Sequence, residues 1–191
     1  MIMQRLKTLI VIILVSLLSG CIGVSSLWTG VSLIYDRHNL YKKMNDYDLV
    51  ARANHALYRD TRFKQRGTSI DVAAFHGDLL LAGHVLTAEL REEAYRRVAQ
   101  KPNYHRLFNQ ITVGVYRDNP AKDSWITAKV RSQIIADASI DPHQFKVITA
   151  DGVVYLMGHA LLEDAERVIH IARRTAGVVR VVKLIKCYRF I

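Results

Sequence analysis

Two sets of side chains in this 191-residue chain combine type and spacing in ways that imply chemistry. The first is the thiol of Cys21, a nucleophile that can carry a thioether. The second is Trp125, Ala128, Lys129, Arg131, Ser132 and Ile135, which interleave an indole and an isoleucine with two cations and small residues. An indole flanked by cations suits a polar–apolar boundary, where the ring sits between phases and the cations meet phosphates. Catalytic patterns are absent from the sequence: there is no Gly-x-Ser-x-Gly, no His-Glu-x-x-His, no glycine-rich phosphate loop and no cysteine cluster. His84 and His159 each follow a strand-like run and read as structural. His105, His143 and His170 lack the spacing of a metal site. Glu163, Asp164 and Glu166 open a helix, where acids favour the dipole. The expectation is therefore no enzyme, no cofactor and no metal.

The segments around Cys21 say what its thiol is for. Arg5 and Lys7 precede an apolar run, Thr8–Leu18, of about eleven residues, against the ~20 a membrane-spanning helix needs. A basic start, a short apolar run and a small-residue exit read as a secretory signal over residues 1–20. The exit Leu18-Ser19-Gly20-Cys21 resembles a lipobox, so cleavage before Cys21 and its acylation are expected. Two or three acyl chains then anchor firmly where one does so marginally. Residue 22 is Ile rather than Asp, which by resemblance implies the outer membrane. Residues 1–20 hold Arg5 and Lys7 and no acid, so the remainder keeps 25 basic against 17 acidic side chains, a net +8. Such a surface suits a polyanion. An exported chain lies away from chromosomal DNA, so no nucleic-acid partner is expected.

The rest of the chain is one unit written twice. Gly77 and Gly152, Gly83 and Gly158, and His84 and His159 are each 75 residues apart. Alternating apolar residues, a glycine turn and a dense apolar run make each copy a β-hairpin. A helix precedes each hairpin, with Leu49, Ala53 and Leu57 matching Ile126, Val130 and Ile134 at an offset of 77. Asp46 and Asp48, and Asp123 and Ser124, are candidate caps. A second helix and a β-rich run close each copy, and Gly177 marks a helix exit. The fold class is α+β, two tandem αββαβ domains, each a three-stranded sheet with two helices on one face. The expected limits are 21–44 for the anchor and a partly ordered linker, 45–116 for the first domain, 117–123 for a polar link and 124–191 for the second domain.

At about 100° per residue, Ile126, Val130 and Ile134 form the inner stripe of the second domain's first helix. Trp125, Lys129, Ser132, Ala128, Arg131 and Ile135 then fall outside it. The matching residues in the first copy differ, with Asp48 in place of Trp125 and Asn54 in place of Arg131. The second domain is expected to meet membrane and the first to be structural or protein-facing. The competing reading packs Trp125 against the first domain or the link.

The hairpin with VYLMGH, the passage LLEDAERVIHIARRTAGVVRV and the doubling resemble the BON domain, a small αββαβ module of bacterial envelope proteins. DSWITAKVRSQIIAD is similar to the first helix of the second domain in dual-BON lipoproteins. Osmotically inducible periplasmic BON proteins are similar as well. The resemblance implies an outer-membrane lipoprotein facing the periplasm. It also implies that the second domain binds anionic phospholipid (phosphatidylglycerol or cardiolipin), that the protein supports envelope integrity, and that it gathers at division sites. An alternative is a periplasmic adaptor docking an envelope assembly machine through the hairpin or the closing strand, with Tyr188 and Phe190 at the contact.

Overall fold

Two hairpin turns set the frame. His76–Gly77 and Asp151–Gly152 are the central residues, with φ of 50° and 84° in the first and 54° and 74° in the second. Positive φ at both positions is type I′ geometry, whose twist matches that of the flanking strands. A non-glycine residue at positive φ needs support, and an aspartate supplies it in each case. The carboxylate of Asp46 accepts from the N–H groups of His76 and Gly77, both at 2.8 Å. Asp123 accepts from Asp151 and Gly152, both at 2.9 Å. These aspartates are thus turn clamps and not helix caps, which corrects the sequence expectation.

The computed structural model describes residues 32–101, 103–116 and 119–188, with side chains from Met44 onward. Cys21, Trp28, Phe190 and the signal segment lie outside the described residues. Helix α1 runs Ser32–Tyr58, so Asp46 and Asp48 are interior to it. Strands β1 (Ser69–Phe75) and β2 (Asp78–Val85) form the first hairpin. Helix α2 (Ala88–Ala99) then leads to β3 (Arg106–Val113). The second domain repeats the order with α3 (Pro120–Ala136), β4 (Phe145–Ala150), β5 (Val153–Leu161), α4 (Leu162–Arg174) and β6 (Arg180–Tyr188). Residues 120–123, read in the sequence as part of the link, form the first turn of α3. Asn119 caps that helix by accepting from the N–H of Lys122 at 3.0 Å.

Each sheet has the hairpin antiparallel and the last strand parallel to the central one, in orders β1-β2-β3 and β4-β5-β6. The parallel step needs a helical crossover, and α2 and α4 provide it. The helices cover one face of each sheet. Leu49, Ala53 and Leu57 of α1 join Leu79, Leu81 and Val98 in one core, and Ile126, Val130 and Ile134 join Val154, Leu156 and Val168 in another.

The opposite faces of the two sheets meet. Ala73, Phe75, Leu80 and Ala82 pack with Ala150, Tyr155, Met157 and Leu184 in a third core. Residues Tyr41–Ile191 form one compact unit with four layers: helices, sheet, sheet, helices. All three cores lie within this region, so it carries its own folding information. Burial on both faces explains the dense apolar run Leu79–Ala82 within β2.

The seam also has polar ties, and they are reciprocal. His84, fully buried, places Nδ1 2.9 Å from the carboxylate of Asp151 in the other domain's turn. His159 places Nε2 3.5 Å from Asp78, and its ring meets His76 edge-on at 5.1 Å. The repeated histidines are therefore interdomain ties, more than strand-end fillers. Burial would raise the Asp78 carboxyl, but its bonds to Arg106 and the nearby His159 outweigh this and hold it below its ordinary value. Lys146 crosses the seam too, donating to the carbonyl of Ala74 at 2.9 Å. Burial pulls its amine below the ordinary lysine value, Arg131 adds to the shift and Asp46 opposes it.

Candidate membrane-contact surface

The outer face of α3 follows from its inner one. Ile126, Val130 and Ile134 are at most 2 % exposed, which fixes the helix rotation. Trp125 is then 50 % exposed and Ile135 63 % exposed. Ala128, Arg131 and Ser132 are exposed and Lys129 is half-buried. Lys129 is partly covered because its Nζ stands 4.6 Å from the centroid of the Trp125 ring, a cation–π contact. The hydroxyl of Ser132 turns back to donate to the Lys129 carbonyl at 2.9 Å.

The six residues form two adjoining strips. Trp125, Lys129 and Ser132 make one. Its indole rests at the α4–β6 exit, where a Cβ added to Gly177 would lie 3.5 Å from Trp125 Cζ3. Ala128, Arg131 and Ile135 make the other. Ala128 and Arg131 also border a groove of about 720 Å³ between α3, β4 and β1, with Lys146 among its lining residues. Trp125 is not sealed between the domains, because the seam is made by the sheets.

One member escaped sequence reasoning. Val179 is 73 % exposed beside the same exit loop, its Cγ2 2.9 Å from where a Cβ on Gly152 would sit. In the run Gly177-Val178-Val179-Arg180 nothing periodic tells which valine faces outward. Tyr188, at the end of β6, is 44 % exposed.

The first domain puts something else at the place of Trp125 and Lys129. Asp48 and Arg52 stand there and pair at 2.8 Å, each about half exposed. One fold position thus carries a cation on an aromatic ring in one domain and an ordinary i, i+4 ion pair in the other.

Among the described residues no helix is long and apolar enough to cross a membrane. No group of three or more His, Cys, Asp or Glu among them is placed to hold a metal ion. Cys187 is exposed and carries a free thiol.

Two αββαβ units joined back to back define the class: the chain belongs to the BON-domain family, whose model matches residues 45–115 and 122–187. It is similar to the outer membrane lipoprotein DolP of Haemophilus influenzae, with 24 % identity over 173 residues, covering 88 % of this chain and 89 % of that one. It is also similar to a 21 kDa hemolysin of Actinobacillus pleuropneumoniae, with 30 % identity over 145 residues, covering 75 % of this chain and 74 % of the relative. Among solved structures, the C-terminal domain of CdsD from the type III secretion system of Chlamydia trachomatis overlaps at a TM-score of 0.31. That match has 11 % identity and covers 74 % of this chain and 98 % of that domain.

Proposed function

We propose that this chain is an outer-membrane lipoprotein, acylated on Cys21 and facing the periplasm. In this reading its second domain binds anionic phospholipid through α3, and the protein supports envelope integrity at the division site. The observation that carries the lipid reading is the half-exposed Trp125 under Lys129, flanked by Arg131 and Ile135. An indole beside cations is favourable at a headgroup boundary, where the ring sits between the polar and apolar phases. Its neighbouring cations each gain roughly 1 kcal/mol near an anionic surface, and less in salt. The outer-membrane assignment is supported by the lipobox-like exit at Cys21 and by the name of the Haemophilus relative. Phosphatidylglycerol and cardiolipin are the lipids the charge favours.

Co-sedimentation of residues 45–191 with vesicles tests this without the acyl chains. Binding is expected to rise with the fraction of phosphatidylglycerol. Trp125→Ala and Arg131→Glu should each weaken it about tenfold, the equivalent of ~1.4 kcal/mol. Binding that ignores lipid charge, or that Trp125→Ala leaves unchanged, overturns the reading.

A further inference from the structure

The outer helical layers of the two domains carry matching grooves of opposite charge. In domain 1 the groove lies where the end of α1 meets α2 and has a volume of about 720 Å³. Its charged lining is Arg59, Arg96, Arg97 and Lys101 against Asp60 and Glu93. The two carboxylates are sunk, with side chains 14 % and 15 % exposed. Arg97 lies across both, at 2.8 Å from Asp60 and 2.6 Å from Glu93, and Arg96 pairs with Glu93 from outside. The cations are outermost, so the groove presents positive charge.

On the same flank of domain 2 the end of α3 meets α4. The charged lining there is Asp137, Glu163 and Glu166 against Arg167. Arg167 is turned to Ser139, donating to its hydroxyl at 2.5 Å beside Asp137. Glu163 and Glu166 remain exposed. No ion pair joins either of them to a cation among the described residues. They ride on the first two turns of α4.

We propose that these surfaces are the two halves of a contact between copies of this chain. The acidic face of α4 on one copy meets the basic α1–α2 groove of the next. The dipoles fit, because the N-terminal end of α4 meets a groove at the C-terminal ends of α1 and α2. Charge complementarity orients the encounter and makes it sensitive to salt. The halves differ and lie on opposite outer layers of the unit, so the contact is heterologous and builds a ring or a row instead of closing as a pair. It uses none of Trp125, Ala128, Lys129, Arg131, Ser132 and Ile135, and so stands apart from the lipid reading.

Sedimentation velocity of region 41–191 at about 0.05 M and 0.5 M salt tests the contact. Concentration-dependent association is expected at the lower salt and its loss at the higher. Arg59→Glu with Lys101→Glu makes one variant, and Glu163→Lys with Glu166→Lys the other. Each alone should associate at least tenfold more weakly than the parent, with its circular dichroism and melting retained. Mixing the two should restore association, because lysines on α4 now meet carboxylates in the groove. A parent that stays monomeric at low salt, variants that associate as it does, or a mixture that stays monomeric each overturns the proposal.

Discussion

Asp123 is the side chain whose removal has the most calculable effect. It accepts two hydrogen bonds at 2.9 Å from the amides of a turn whose first residue, Asp151, is held at φ 54°. A hydrogen bond to a charged group contributes about 1.5–3 kcal/mol. Two such bonds on a partly exposed turn make Asp123→Ala worth about 3 kcal/mol, at the lower end because water replaces part of the loss. For a unit of this size, each kcal/mol is about 2–4 °C in Tm, so the drop should be about 6–12 °C. Asp123→Asn keeps one acceptor oxygen and should recover about half. Urea unfolding of region 41–191 followed by circular dichroism measures both. Asp46→Ala, which removes the same clamp from the other turn, is the internal replicate. If Asp123→Ala unfolds within about 0.5 kcal/mol of the parent, the range of an ordinary surface substitution, the clamp argument is wrong.

Gly83 sits at φ 109°, and a Cβ there would lie 2.2 Å from the backbone oxygen of Ser69. Gly83→Ala should therefore cost more than about 3 kcal/mol and deplete the folded protein, read as lost soluble yield and a lowered urea midpoint. The Asp60 carboxyl is lowered from 3.8 to about 2, first by its hydrogen bonds from Arg62 and then by the charges of Arg62 and Arg97. A depressed carboxylate supplies its stability above 3.8 and loses it as pH falls through about 2. Asp60→Asn should flatten that part of the acid unfolding curve; an unchanged acid limb would refute the assignment. Burial raises the Tyr155 phenol to about 12. Its contribution is full below 10.0 and is lost as pH rises through about 12, so Tyr155→Phe should blunt alkaline unfolding. Absorbance at alkaline pH should show two late-ionising tyrosines, Tyr58 and Tyr155, both raised by burial, and Tyr155→Phe should remove one of them.

Local signals carried most of the fold into the sequence. The i, i+4 triads ending at Leu57 and Ile134 fix two helices and their inner faces. The glycines at 77 and 152 fix two hairpins, because a two-residue turn with positive φ has few solutions. The outward position of Trp125 follows from the same wheel. What was illegible depends on distance along the chain. Asp46 looks like a cap because its true partners, at 76 and 77, are some thirty residues on. The dense apolar run from Leu79 to Ala82 marks a strand, but the cover on its second face, the other domain's sheet, was not read from it. The reciprocal ties of His84 and His159 exist only once two sheets are laid together. Val179 is exposed by the path of a loop, which has no period to read.

The sheet-to-sheet seam makes the two halves of this chain mutually dependent. Either half expressed by itself would carry a bare wall of Phe75, Leu80 and Ala82, or of Tyr155, Met157 and Leu184. A wall of that kind is covered most simply by its own twin. The crossed ties, from each histidine to the opposite hairpin, are what a twofold axis generates. The tandem chain thus has the layout of a twofold homodimer within one polypeptide, and its two outer sides are released from that symmetry: one carries an ion pair where the other carries an indole.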